Sequence, residues 1–230
     1  MAQAENEERS SAMKLTAVNH LAFITNDLTK TIRFWRDLLG LELHAGIGHE
    51  GYRHYFFRLG EANQIAFFEY EEAAPMEYKF HGDRTTEPLG FDHLSMTVET
   101  VDELFAFKDR LEAAGVDVHG AVDHGIIWSI YFFDPNNIPL EISWETMEIE
   151  RPPAMDEVKP MAIVAEGATP QPGHWPEVTK RTPRSKFTAH GGNAFTMRET
   201  FIREGIGKLK PEFVALMEEQ VSGKASDAAE

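Results

Sequence analysis

Five side chains carry most of the chemistry this sequence could perform: His20, His93, His124, Tyr131 and Glu141. Three of them fall within the stretch from Val122 to Glu141. There a β-branched and aromatic run, Trp128 to Phe133, meets the turn residues Asp134-Pro135-Asn136-Asn137, and strand character resumes from Leu140 to Trp144, which predicts a β-hairpin. Glu141 stands between Leu140 and Ile142. An ionised carboxylate buried there unpaired costs several kcal/mol, so it needs a cation, a metal or strong donors beside it. His20 and His93 sit in matching strand contexts, Val18-Asn19-His20-Leu21-Ala22-Phe23 and Phe91-Asp92-His93-Leu94-Ser95-Met96. Two neutral imidazoles and a carboxylate on one side of a divalent ion leave its other positions open, an arrangement suited to non-haem Fe(II), with Mn(II) the nearest competitor.

The elements that must bring these residues together come in two rounds. Val18 to Thr25 is a strand by composition, Asn26-Asp27 supplies an N-cap, and Ile32, Trp35 and Leu38 recur at helical spacing over Leu28 to Leu39 before Gly40 ends the helix. Strands are expected at Leu41 to Ala45, Tyr52 to Leu59 and Gln64 to Tyr70, followed by a charged, Pro- and Gly-containing linker from Glu71 to Leu89. The order then returns. Thr100 and Glu103 form a capping-box pattern, and Ala114-Gly115-Val116 mirrors Leu39-Gly40-Leu41. His20 and His93 lie 73 positions apart and Gly40 and Gly115 lie 75 apart, so little drift that two copies of one βαβββ unit are expected.

The predicted fold is therefore α+β: tandem modules over residues 15–72 and 90–145 pair their open sheets into a barrel-like metal site, with His20, His93 and Glu141 as ligands. Laying Ile65-Ala66-Phe67-Phe68 over Leu140-Glu141-Ile142-Ser143 places Ala66 where a symmetric fourth ligand would stand; Glu69, three positions on, falls on the opposite strand face. His44, His49, His54, His81 and His119 have no repeat partner and read as surface or pocket-wall residues.

The 230 residues include no cysteine, so any metal must be held by His, Asp or Glu. Lys and Arg number 22 against 38 Asp and Glu, and the formal charge of -16 repels phosphate backbones and anionic lipid, which argues against nucleic acid as a partner. No apolar run approaches membrane-spanning length and no export signal is evident, so a cytoplasmic location is the expectation. Residues 1–14 read as a disordered N-terminus. Residues 146–230 read as a proline-rich arm with C-terminal helices, one beginning at a Thr196–Glu199 capping-box pattern and another opened by Pro211. Trp175, Phe187, Phe195, Phe201 and Phe213 are too many aromatics for a solvated tail, and docking onto a second copy in a homodimer is expected.

From Ala17 to Glu145 the chain resembles the vicinal oxygen chelate superfamily, which includes glyoxalase I, fosfomycin-resistance proteins and extradiol ring-cleavage dioxygenases. The spacing of Val122, His124, Ile130-Tyr131, Asp134-Pro135 and Glu141 resembles the extradiol signature, with Asn137 standing where that family usually has Gly or Pro. The resemblance implies that Glu141 is the carboxylate ligand, that Tyr131 donates a hydrogen bond to a bound diol, and that His124 moves protons beside the substrate. The expected activity is then Fe(II)-dependent cleavage of a small catechol- or hydroquinone-like aromatic substrate by O2. Two alternatives share the fold: metal-dependent isomerisation or thiol transfer of the glyoxalase or fosfomycin-resistance kind, and drug binding without catalysis. Ala66 disfavours glyoxalase chemistry, which wants a carboxylate there, whereas the fosfomycin-resistance reading shares the His-His-Glu set.

Overall fold

A computed structural model describes residues 17–49, 51–86, 91–152, 154, 162–169, 173, 178–192 and 195–227. The expected disordered N-terminus lies outside them. The chain divides into a unit ending at Ile149 and a second from Glu150.

The first unit is α+β and contains the two expected βαβββ modules. β1 (His20–Thr25) leads into α1 (Leu28–Ile32), which continues as a π-helical segment (Arg33–Leu38); β2 (Glu42–His49), β3 (Tyr52–Leu59) and β4 (Asn63–Glu69) follow. The second round is β5 (Leu94–Thr97), α2 (Val101–Ala113), β6 (His119–Asp123), β7 (Ile127–Phe133) and β8 (Pro139–Glu145). Local chemistry sets the boundaries. Asp27 accepts the Lys30 amide at the start of α1, and Thr100 with Glu103 forms the complete capping box of α2. After each helix a glycine takes the left-handed conformation, Gly40 at φ 82° and Gly115 at φ 78°, which side-chain-bearing residues adopt only at a cost.

Each module folds into its own four-stranded sheet, ordered β1-β4-β3-β2 and β5-β8-β7-β6, with the first pair parallel and the others antiparallel. The two sheets remain open and do not close into a barrel. Leu21 pairs with Ile65 and Ala22 with Ala66 in the first sheet, as Leu94 pairs with Leu140 and Ser95 with Glu141 in the second. This register confirms Ala66 as the counterpart of Glu141. Glu69 faces the other way, where it accepts from the Leu28 amide and pairs with Arg53.

One core joins the modules, built from Trp35, Phe57, Ile65 and Phe67 of the first and Leu104, Leu111, Ile130, Phe132 and Leu140 of the second. The β7–β8 turn is its polar seam. Asp134 accepts from the Trp35 indole at 3.2 Å, and Asn136 accepts from Thr25 at 2.8 Å. Asn137 adopts φ 60°, the left-handed turn conformation expected of it, and donates to the Met76 carbonyl.

The second unit carries α3 (Met197–Arg203) and α4 (Pro211–Asp227) after two short 3-10 turns. Pro211 opens α4 as expected, but Thr196 makes no side-chain cap bond; its helical backbone angles turn the hydroxyl away from the amide it would cap. Arg198 sits over the Phe213 ring at 4.5 Å and Arg184 pairs with Glu219 at 2.8 Å. Phe187, Phe201 and Phe213 are half-buried and Phe195 is exposed; Trp175 lies outside the described residues.

Candidate metal and substrate site

Four of the five sequence-selected residues meet on the second sheet. His93, just before β5, places Nε2 2.8 Å from Glu141 Oε2 on the neighbouring strand β8. Its other nitrogen, Nδ1, lies 2.6 Å from Asp92 Oδ1. A carboxylate on Nδ1 holds that nitrogen's N–H and turns Nε2 toward Glu141, at a separation that suits either an N–H donating to the carboxylate or two neighbouring ligands of one ion. Asp92 is itself held well below the ordinary carboxylate range, first by the Lys79 ammonium and then by His93, so it remains a charged acceptor.

Tyr131 lies directly opposite Glu141 in the β7–β8 register, and its hydroxyl is 2.8 Å from His124 Nε2. Burial raises the Tyr131 pKa, and the facing Glu141 carboxylate adds to that against the opposing contact with Ser129. Tyr131 is therefore a neutral phenol at neutral pH, able to donate. His124 is placed by a tight turn in which the Gly125 amide donates to the Asp123 carboxylate and the His124 amide to the Ile127 carbonyl.

His20 is positioned like His93, with Nδ1 2.8 Å from Asn19 Oδ1, but its ring packs against His54 and Phe56 of the first sheet. Within one chain it does not join His93 and Glu141: among the described residues no three His, Asp or Glu side chains form a metal-binding group.

Two histidines read from sequence as surface or pocket-wall residues take part in these clusters. His54 is only 6% exposed, stacks on Phe68 at 3.6 Å and leaves Nε2 without a partner; burial, and then His20, lower its pKa. His81 leaves the linker to lie over the second sheet, its ring 4.7 Å from Tyr131 and 5.6 Å from His93. Period-two alternation puts His54 on the same face as Ala66 and could have marked it. No strand period reaches into the linker, so His81 carried no such signal.

The donor set suits a divalent ion. Glu141 is 3% exposed, and its Oε1 has no hydrogen-bond partner despite being buried. A buried carboxylate oxygen without a donor, next to an imidazole nitrogen that can ligate once deprotonated, is an unsatisfied electrostatic demand that a cation meets. With His20 brought from elsewhere, the ligands would be two imidazoles and a carboxylate.

The family model for the glyoxalase/bleomycin resistance protein/dioxygenase superfamily matches residues 17–142. Glutathione transferase FosA of Serratia marcescens is 31% identical over 134 residues, covering 56% of this chain and 80% of that protein. Among solved structures, a glyoxylase/bleomycin resistance protein/dioxygenase domain from Frankia sp. EAN1pec is 23% identical at a TM-score of 0.50, covering 59% of this chain and 96% of that one. An integron cassette protein from the mobile metagenome of the Halifax Harbour sewage outfall is 27% identical at a TM-score of 0.44, covering 56% and 99%. The chain belongs to the glyoxalase/bleomycin resistance protein/dioxygenase superfamily. The stretch beyond Ile142 lies outside the matched region. No helix among the described residues is long and apolar enough to cross a membrane.

Proposed function

We propose that this chain is a metal-dependent enzyme that joins the sulfur of a glutathione-like thiol to an electrophilic small molecule. His20, His93 and Glu141 hold the ion, with His20 supplied by a second copy of the chain. The observation that carries the reading is the close approach of His93 Nε2 to Glu141 Oε2 beside the orphaned Glu141 Oε1, in a chain similar to a glutathione transferase. Ala66 fits it as well, since no second carboxylate stands where glyoxalase chemistry wants one.

A divalent ion bound there, Mn(II) or Fe(II), supplies Lewis-acid polarisation of an oxygen on the electrophile. The chain's own groups do the rest. Tyr131, kept as a phenol, donates a hydrogen bond to that oxygen, while His124 at its hydroxyl takes up or returns a proton as charge moves. The rings of Tyr131, Phe133 and His81 pack together as one wall of the site. The thiol loses its proton as the sulfur–carbon bond forms, and the oxygen that receives the displaced electron pair takes a proton.

One observation favours a second reading, cleavage of a small aromatic diol by O2. The Tyr131 hydroxyl and His124 Nε2 form a 2.8 Å pair, the combination the extradiol signature implies for holding a ring oxygen and moving its proton. One experiment separates them. Protein loaded with Mn(II) or Fe(II) under anaerobic conditions is offered glutathione with a panel of electrophiles, and separately O2 with a panel of catechols. Thiol loss with conjugate formation and no oxygen uptake supports transfer; oxygen uptake with ring-opened product supports the second reading and overturns the first.

A further inference from the structure

The linker delivers to this site a histidine held as metal ligands are held. His81 Nε2 lies 2.9 Å from the carbonyl oxygen of Leu140, the residue before Glu141. A carbonyl oxygen only accepts, so Nε2 carries the proton and Nδ1 is left as a bare lone pair. That lone pair is buried and has no partner, like Glu141 Oε1. Two acceptor lone pairs cannot satisfy one another, and burial closes both atoms to a water-sized sphere. A divalent ion, bound at about 2.1 Å from a ring nitrogen, would satisfy lone pairs of this kind.

A ligating histidine usually has its other ring nitrogen donating to a carbonyl or carboxylate. His93 shows this with Asp92, and His81 shows it with the Leu140 carbonyl. We propose that His81 is a ligand of the same divalent ion as His93 and Glu141, binding through Nδ1. The proposal rests on the metal-dependent reading above and adds a ligand to it. The register supplies the reason: Ala66, the first sheet's counterpart of Glu141, offers no donor atom, and the linker provides one. Lys79 paired with Asp92 and Phe80 packed on His119 pin the linker beside His81, so metal binding fastens this segment to the second sheet. Among the described residues these three side chains do not stand as a ready metal-binding group, so ligation requires the His81 ring to move toward the His93–Glu141 pair as the ion enters.

The test is titration of the metal-free full chain with Co(II), followed by calorimetry and by the visible absorption of the bound ion. His81→Ala is expected to weaken binding by about tenfold or more and to change the absorption bands, as loss of a ligand does. His81→Gln keeps a donor for the Leu140 carbonyl while removing the imidazole, and should behave as His81→Ala does if ligation is the role. Trypsin cleavage at Lys79 and Arg84 should slow when Co(II) is added to the wild type and stay unchanged in both variants. Binding within twofold of wild type with unaltered bands in His81→Gln overturns the proposal. Uptake that persists in both His81 variants but falls in Glu141→Gln overturns this proposal alone; a wild type that takes up no ion overturns the functional reading and this one together.

Discussion

The Trp35 indole donates to the Asp134 carboxylate at 3.2 Å across 99 residues of chain, tying the helix of the first module to the β7–β8 turn of the second. The Asp-Pro element of the signature is thus a joint between modules, away from the chemistry. Asp134 is 4% exposed and also accepts from the Asn136 amide, the Asn136 side chain and the Ile138 amide.

Asp134→Ala should therefore destabilise the fold by about 3 kcal/mol, since it strands buried donors and opens a gap. Urea unfolding checks this, and a midpoint close to wild type would contradict it. The pH dependence has a definite sign. Burial raises the Asp134 pKa above its ordinary 3.8, against the pull of the donors around it. The folded chain binds that proton more tightly than the unfolded chain, so this contribution is complete below 3.8 and is lost as pH rises through the raised value. Wild type should lose stability relative to Asp134→Asn as pH rises from below 3.8 through the raised value.

Asn137 holds φ 60° and donates to the Met76 carbonyl at 2.9 Å. Asn137→Gly keeps the turn and loses one exposed bond, and should cost less than about 1 kcal/mol. Asn137→Val forces a β-branched residue into the left-handed region and should cost about 2 kcal/mol. Equal midpoints for the two variants in denaturant would contradict the turn argument.

Tyr131 and His124 stand beside the proposed ligands, so their loss should spare metal binding and reduce turnover. Tyr131→Phe and His124→Ala should each lower kcat by roughly 10- to 1000-fold with KM changed far less, the pattern for groups that act as charge moves. Steady-state kinetics on metal-loaded protein distinguishes this from a rise in KM alone, which would make them binding residues only.

The fold was legible because its signals are local and repeat: a strand, an N-cap at Asp27 or Thr100, a glycine at 40 or 115, three more strands. Repetition also made Ala66 legible as the counterpart of Glu141, which the strand register bears out. The site was legible only in part. Tyr131, His124, His93 and Glu141 lie on or beside paired strands, and period-two alternation predicts their common face. His81 could not be found this way, because its position depends on where an irregular linker crosses the sheet and on one contact with the Leu140 carbonyl. The failed cap at Thr196 shows the same limit, since a capping pattern requires extended backbone at the cap residue and Thr196 has φ -73° and ψ -17°.

His20 supplies the last prediction, because its side chain is prepared like that of His93 yet belongs to the other sheet. Asn19 holds its Nδ1 as Asp92 holds that of His93, leaving Nε2 for an ion, while His93 and Glu141 make their pair without it. If a second copy completes the set, each site takes His20 from one chain and His93 with Glu141 from the other. His20→Ala and Glu141→Ala chains then each form homodimers lacking a ligand at both sites. A mixed dimer restores one complete site, since the Glu141→Ala chain contributes His20 and the His20→Ala chain contributes His93 and Glu141. Co-expression with two different affinity tags, purification through both, and metal analysis should find about one ion per mixed dimer and markedly less in either homodimer. Mixed dimers as poor in metal as the homodimers would show that each site draws its ligands from one chain, and a chain that remains monomeric by light scattering would remove the shared site altogether.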